Sequence, residues 1–139
     1  LMKPSRISMG PDGNLYVTDR LRDRIRRIST DGRVTSVQIS GPHAVEVDKD
    51  GHIYTIDDLG SGMPSHTVVK ITPDGKLFTF AGTGYKGDMD GYAMEAKFNN
   101  PTDIAVAPNG NVYVCDAGNH KIRRISPSGI VTTAAGNSG

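Results

Sequence analysis

The chain repeats itself, and this repetition constrains its fold more than any other feature. When the sequence is shifted by 97 residues, residues 4–35 align with residues 101–132 without a gap, and 16 of the 32 aligned positions are identical. A more divergent copy lies between them, over residues 42–57 and 70–77, so that the three copies in chain order begin at residues 4, 42 and 101. Repeats of this kind predict an architecture in which one small unit of secondary structure is used several times.

Each copy carries four short segments with the character of β-strands. In the first copy they lie at residues 6–9, 15–18, 24–28 and 34–39. The second segment of each copy is apolar or aromatic on both faces, which predicts a sheet that is buried on both sides. Asp-Gly and Asn-Gly pairs separate the segments, as is typical of tight hairpins. We therefore predict an all-β protein with three four-stranded antiparallel sheets, packed as the blades of a β-propeller.

The third copy resembles a known family of propeller blades, the NHL repeat. It carries the proline before the first strand, the turn glycine, the aromatic-Val-x-Asp second strand and the Asn-His-Lys-Ile tetrad that are typical of that family, at Pro101, Gly110, residues 113–116 and residues 119–122. The first copy has Arg22-Asp23 in place of Asn-His, and the second lacks the tetrad and has an insertion at residues 59–66. The resemblance implies one propeller segment with blades at about residues 4–40, 42–82 and 101–136 and a connector at residues 83–100.

The connector contains two spacings that resemble ligand-binding motifs. Three glycines match the G-x-G-x-x-G of dinucleotide-binding loops: Gly82, Gly84 and Gly87. No crossover helix follows them, so a pyrophosphate would lack its binding site. Asp88 and Asp90 stand before a glycine as in a calcium loop, but lysines occupy two of the positions where carboxylates are needed. We interpret the stretch as a connector similar to those of NHL propellers, with Ala96 and Phe98 packed on the next blade.

Three blades are too few to close a ring, because propellers have typically four to eight. Each outer blade would expose an apolar face, which favours association. Six blades are usual for the NHL family, so we predict a homodimer in which two copies pair head to tail. The alternative is that a longer protein supplies more blades, and residues 134–139 resemble the opening of another connector.

The beginnings of the first strands are the candidate ligand site, because in propellers they lie near the central channel. Ser5, His43 and Thr102 occupy matching positions there. His43 is the candidate metal ligand, since the similar peptidyl-amidoglycolate lyases hold zinc on channel histidines. A catalytic zinc needs three protein ligands, and each chain offers one histidine here. No cofactor is predicted, and zinc and calcium are left open as candidate metals.

The first blade is rich in arginine, which suits contacts to phosphate and to stacked bases. The candidate nucleic-acid contacts are Arg20, Arg22, Arg24 and Arg26. Some NHL propellers bind single-stranded RNA on a basic face. Here no aromatic residue interleaves with the arginines and aspartates neutralise part of the run, which favours a solvated strand face.

Other residues that could suggest chemistry are interpreted as structural. An aspartate ends the second strand of every copy, and we expect it to accept backbone N–H bonds from the following turn: Asp19, Asp57 and Asp116. Cys115, the only cysteine, lies in a strand predicted to be buried and is expected to be a core thiol. His120 belongs to the repeated tetrad, whereas His52 and His66 are expected at the surface.

The function predicted from these features is a non-catalytic binding or interaction scaffold for a protein or small-molecule ligand. Two alternatives are left open: a metal-dependent lyase or hydrolase with its site at the central channel, and RNA binding by the first blade. The formal net charge of +1 does not point to a partner. No apolar run reaches the roughly 20 residues of a membrane helix, no signal peptide is visible, and the compartment is undefined.

Overall fold

The computed structural model describes residues 1, 3–58 and 64–136. Most of the predicted insertion, residues 59–63, and the end of the predicted second connector, residues 137–139, lie outside this range. Within it the regular structure consists of antiparallel sheets and two 3₁₀ turns, Arg20–Arg22 and Ala117–Asn119. Neither turn is long or apolar enough to cross a membrane.

The strands form three sheets in which the four strands of each predicted blade follow one another in chain order, so the predicted blade architecture is confirmed. The first blade consists of β1 (Pro4–Met9), β2 (Leu15–Asp19), β3 (Arg24–Ile28) and β4 (Val34–Gln38). The second consists of β5 (Ala44–Val47), β6 (Ile53–Ile56), β7 (Val68–Ile71) and β8 (Leu77–Ala81). The third consists of β10 (Pro101–Val106), β11 (Val112–Asp116), β12 (Lys121–Ile125) and β13 (Ile130–Ala135), with β9 (Gly91–Tyr92) added at its outer edge.

The blades stack face to face around a common inner edge. The first strands lie innermost, since β1 contacts β5 and β5 contacts β10. We call the side of a blade that faces the preceding blade its front and the opposite side its back. The back of the first blade packs on the front of the second through an apolar cluster of Tyr16, Ile25, Ile39, Val45, Ile53, Val69 and Ile71.

The back of the second blade packs on the front of the third through a larger apolar cluster. This cluster includes Ile56 and Val68 from the second blade and Val112 and Val114 from the third. The predicted connector contributes Ala96 and Phe98, both completely buried. The middle blade is therefore covered on both faces, as the two-sided apolar character of its second strand requires.

The connector also extends the third sheet. The strand β9 pairs antiparallel with β13, with Tyr92 opposite Ile130 and Gly91 opposite Val131. The sequence predicts four strands in this blade and misses the fifth, because two residues are too few to show a period. A single turn follows β9, in which the N–H groups of Glu95 and Ala96 donate to the carbonyl oxygen of Tyr92 at 2.8 and 2.9 Å.

The prediction that Cys115 is a core thiol is wrong, because its side of the third blade is uncovered. Cys115 is exposed on the back of that blade. The matching residue of the first blade, Thr18, is completely buried. The apolar character of the strand therefore predicts which face the residue lies on, and a following blade decides whether that face is buried.

Gly82, the first glycine of the G-x-G-x-x-G spacing, is required by close packing against a neighbouring backbone. Gly82 has a φ of +102°, and a Cβ built there would lie 2.7 Å from the carbonyl oxygen of His66. Gly84 has a φ of +90°, and a Cβ there would meet nothing within 4 Å. The two glycines share an unusual backbone conformation, but only Gly82 is in close contact with a neighbouring backbone.

We predict that Gly82→Ala destabilises the protein clearly more than Gly84→Ala. Both substitutions add the strain of a positive φ, about 1–3 kcal/mol, and Gly82→Ala adds a clash with the backbone of His66. Urea unfolding followed by circular dichroism measures the difference. Equal losses of stability in the two variants would contradict this assignment.

Candidate functional site

The three candidate channel residues lie on the inner strands, in different environments. Ser5 is exposed in β1, and its hydroxyl oxygen lies 3.0 Å from that of Thr18. Thr102 is exposed in β10. His43 directly precedes β5, is half-buried, and its N–H donates to the carbonyl oxygen of Ile56 at 2.7 Å. The three residues thus lie at matching positions along the inner edge, and His43 is the one that lies near charged side chains, Asp58 and Arg20.

His43 belongs to a small cluster of charged groups at this edge. Its Nε2 lies 3.6 Å from a carboxylate oxygen of Asp58, and the guanidinium of Arg20 lies 3.6 Å from the same oxygen. Partial burial lowers the pKa of His43, and the nearby Arg20 lowers it further, while Asp58 acts in the opposite direction. The net effect favours a neutral imidazole. Within the described residues, no group of three or more His, Cys, Asp or Glu side chains could hold a metal ion.

The aspartates that end the second strands are structural, but their partners differ from the predicted ones. Asp19 and Asp116 are completely buried. They accept hydrogen bonds from the N–H groups of Lys3 at 3.0 Å and Asn99 at 2.7 Å. These backbone donors lie before the first strand of the same blade, whereas the sequence predicts backbone donors in the turn after the second strand. That turn contributes a side-chain donor, the amide of Asn119, to Asp116 at 2.8 Å. Each aspartate therefore fixes the entry of the chain into its blade.

The aspartate of the second blade has another partner. Asp57 accepts a hydrogen bond from the hydroxyl of Ser65 at 2.6 Å, and burial raises the pKa of its carboxyl group. Ser65 belongs to the insertion that distinguishes this copy from the other two.

The remaining histidines make local contacts. His120 has a φ of +58° and ends a 3₁₀ turn, as Asp23 does in the first blade with a φ of +52°. The Nδ1 of His66 accepts a hydrogen bond from the N–H of Asn100 at 2.9 Å, and burial lowers the pKa of this imidazole. His52 is half-buried, with its Nδ1 3.5 Å from Asp48.

A buried ionic cluster holds the connector on the front of the third blade. Its centre is Arg123, which is completely buried. The guanidinium donates to Asp90 at 2.7 Å and to Asp88, and its Nε lies 3.2 Å from Asp116. The ammonium of Lys121 donates to Asp88 at 2.8 Å. The two carboxylates that resemble the start of a calcium loop are thus bound by cations of the protein itself.

Sequence reasoning missed this cluster because it treats the arginines of the third strands as solvated. Two signals could have found it. The Ile-Arg-Arg-Ile stretch occurs in the first and third copies and is absent from the second. The connector that leads into the third copy carries an Asp-x-Asp pair, Asp88 and Asp90.

The arginines of the first blade divide between two regions. Arg20 points to Asp58 near His43, and Arg22 is exposed in the 3₁₀ turn. Arg24 and Arg26 lie on the front of the blade, opposite Asp19 and Val17 in the register of β2 and β3. The four arginines therefore do not form one continuous strip.

Two similar clefts open between neighbouring blades at their loop ends. The cleft between the first and second blades measures about 400 Å³, and the cleft between the second and third about 440 Å³. Each contains a tyrosine and a basic residue from matching strand positions: Tyr16 with Arg27, and Tyr54 with Lys70. The Nζ of Lys70 lies 5.2 Å from the centre of the Tyr54 ring, a cation–π contact. Because the arrangement recurs between blades, it belongs to blade packing.

Three stacked antiparallel sheets with their first strands innermost define this chain as a segment of a β-propeller. The family model that matches is the NHL repeat, over residues 98–125. NHL repeat-containing protein 2 of Gallus gallus is 38% identical over 96 residues, which are 68% of this chain and 12% of that protein. The chain belongs to the NHL-repeat family.

Solved structures agree with this fold. A structural genomics protein of unknown function from Bacteroides thetaiotaomicron matches with a TM-score of 0.80 and 26% identity, over 97% of this chain and 36% of that one. Virginiamycin B lyase from Staphylococcus aureus matches with a TM-score of 0.70 and 17% identity, over 99% of this chain and 43% of that one, a likeness of fold alone. The chain spans 3–14% of the length of the first curated relatives it matches.

We predict that His43 titrates below its usual pKa of 6.5. A folded-state pKa below the unfolded value means that the unfolded chain binds the proton more readily, so stability falls as the pH drops below about 6.5. His43→Gln should therefore lose less stability between pH 7 and pH 5 than the unmodified chain, with His52→Gln as the control for loss of an imidazole. An NMR titration midpoint above 6.5 would instead show that the attraction to Asp58 dominates.

Proposed function

We propose that this chain is half of a non-catalytic binding scaffold, and that two copies close a six-bladed propeller through their uncovered outer faces. The observation that carries the proposal is a repeated contrast. Residues that are buried between blades inside the chain are exposed at the matching positions of the outer faces. The proposed ring would hold a protein or small-molecule ligand at its channel or loop-bearing face.

The front of the first blade supports this proposal most directly. Ile7 is 64% exposed, whereas the matching Ile104 of the third blade is 5% exposed. Val34 is 51% exposed, and the matching Val131 is 1% exposed. Full burial of one such side chain contributes roughly 1.5–3 kcal/mol. Covering this face therefore offers a substantial gain in free energy.

The back of the third blade supplies the complementary surface. Ile122 is half-buried there, and its counterpart Ile25 is 1% exposed against the second blade. Cys115 lies beside it, opposite Ile122 in the register of β11 and β12. Inside the chain, backs always pack on fronts. A second copy would repeat this geometry at both outer faces, which gives a closed assembly with two identical interfaces.

A second candidate, catalysis at the channel, is favoured by the charged cluster around His43. A neutral imidazole beside a carboxylate is suited to accept a proton, and the proposed ring would bring two such clusters to one channel. The test is a measurement of bound zinc and of hydrolase and lyase activity, with His43→Gln as the control. Stoichiometric zinc or turnover that this variant abolishes would favour the enzyme over the scaffold.

We predict that the protein is a dimer at micromolar concentration, with a mass of twice the 14.8 kDa chain by light scattering. Ile7→Glu on the front and Cys115→Glu on the back should each give monomers, because either change places a carboxylate in both interfaces of the ring. Tyr85→Glu is the control, since Tyr85 is an exposed apolar residue of the connector, away from both outer faces.

Mixing the two monomeric variants tests the head-to-tail arrangement. An intact back on the Ile7→Glu chain can meet an intact front on the Cys115→Glu chain, so the mixture should recover one interface and form a heterodimer. An unmodified chain that stays monomeric, or variants that fail to complement each other, would refute the homodimer. Further blades from a longer polypeptide would then be the way to complete the ring.

A further inference from the structure

We propose that the front of the first blade is a docking site for an acidic loop that carries two aspartates in an Asp-x-Asp pattern. This inference rests on the proposed scaffold in that another blade covers that face. Residues 134–139 and 1–3 carry no acidic side chain, so the acidic loop is a separate segment of the kind that residues 82–100 form on the third blade. The three blade fronts of the chain differ in the segment that covers them and in the side chains that receive it.

On the third blade the occupant is present. Asp90 accepts hydrogen bonds from Arg123 at 2.7 Å and from the hydroxyl of Thr133 at 3.0 Å. Asp88 accepts from Lys121 at 2.8 Å and also from Arg123. Two basic side chains and one hydroxyl thus form the receptor for the Asp-x-Asp pair of the connector.

The first blade carries the same receptor without the loop. Arg26 matches Arg123, Arg24 matches Lys121, and Ser36 matches Thr133, each by the shift of 97 residues. The placement of the arginine beside the aspartate that ends the second strand is also shared. Arg26 donates to the hydroxyl of Ser36 at 2.7 Å, and its Nε lies 3.6 Å from Asp19. Asp19 in turn matches Asp116, the carboxylate behind Arg123.

The hydrogen-bonding capacity of this receptor is only partly used. Among the described residues the guanidinium of Arg26 donates a hydrogen bond to Ser36, whereas that of Arg123 donates to two carboxylates. Within the same residues Arg24 makes no ion pair. In the third blade the carboxylates bind the terminal nitrogens of Arg123 and leave its Nε without a hydrogen-bond partner. Incoming carboxylates would bind the terminal nitrogens of Arg24 and Arg26 in the same way, with charge-assisted bonds.

The second blade serves as an internal control. The segment that leads into it, residues 39–43, is five residues long and carries no acidic side chain. At the position of Arg26 and Arg123 this blade has Val69, which packs in the apolar cluster against the first blade. An arginine at this position therefore accompanies an acidic connector, and valine accompanies a short neutral one. By this rule, the front of the first blade is built for an acidic connector.

The same arginines are the nucleic-acid candidates of the sequence, but their setting favours a carboxylate loop. Asp19 lies completely buried directly behind Arg26 and already balances part of its charge. The large exposed apolar residues of this face are Ile7, Met9 and Val34, and none of them offers an aromatic ring on which a base could stack.

A peptide of residues 82–100 tests the proposal against the full chain. We expect saturable shifts of the Arg24 and Arg26 side-chain signals in ¹H–¹⁵N NMR spectra. The peptide with Asp88→Asn and Asp90→Asn should bind on the order of tenfold more weakly or not at all, since it loses charge-assisted hydrogen bonds. Arg24→Gln in the chain should weaken binding on the order of tenfold. Arg27→Gln is the matched control, because Arg27 carries the same charge on the back of the same blade and pairs with Asp12 at 3.1 Å.

Each contrary result overturns the proposal. Equal binding of the asparagine peptide would show that the carboxylates are not recognised, and an equal effect of Arg27→Gln would reveal non-specific charge attraction. Absence of shifts at a saturating peptide concentration would remove the site. A short oligouridine that shifts the same arginine signals and displaces the peptide would assign the surface to RNA.

The failure of this proposal is distinguishable from failure of the dimer. If the unmodified chain is monomeric and binds the peptide, its mass refutes closure by a second copy and the binding leaves the acidic-loop site in place. The unmodified chain could instead be a dimer that does not bind the peptide, while the monomeric Cys115→Glu variant, whose first blade has an intact front, does not bind it either. That result would refute the acidic-loop site and leave the dimer in place.

Discussion

Every blade of this protein needs a neighbour on each face, and the rest of the structure depends on that requirement. A four-stranded sheet with apolar side chains on both sides cannot leave either side in water without losing much of the hydrophobic gain of folding. The middle blade satisfies the requirement completely, since both of its faces lie in apolar clusters. The outer blades satisfy it on one face each. Matching residues of their similar repeats are therefore buried where a neighbouring blade lies inside the stack and exposed at its ends.

The repeated sequence predicts the strands and their order well, because each strand is short, local and bounded by turn residues. It places β1 to β4 within two residues of their observed ends. The sequence predicts less well the burial and the hydrogen-bond partners of residues that contact another blade or a distant segment of the chain. Cys115 occupies a position that is buried in the first blade, and only the absence of a covering blade in the described structure makes it exposed. Asp19 and Asp116 accept backbone N–H groups that lie before the first strand of their blade, because the fold brings those donors close, and the side chain of Asn119 reaches Asp116 from the following turn.

The buried cluster around Arg123 could not be predicted for a related reason. An arginine next to an isoleucine in a strand is usually solvated, and the sequence alone does not indicate that a connector will cross that face. The cluster needs the fold to bring Asp88 and Asp90 over β12, more than 30 residues away in sequence. The candidate channel residues show the opposite case. The sequence places Ser5, His43 and Thr102 on the inner edge, but the Asp58 beside His43 emerges only from the structure.

Buried ion pairs cost desolvation energy that their attraction only partly returns, so their value here is better sought in specificity than in stability. Apolar blade faces alone are poorly selective, because any back could cover any front. An arginine that must meet two carboxylates adds a condition. A front without its acidic connector leaves the terminal guanidinium nitrogens without carboxylate partners, and a front with valine would force an acidic connector to bury unpaired charge. This condition would fix which connector enters which interface, and so the order of the blades. In that view, the ionic clusters set the arrangement of the blades and the apolar clusters supply the stability that holds it.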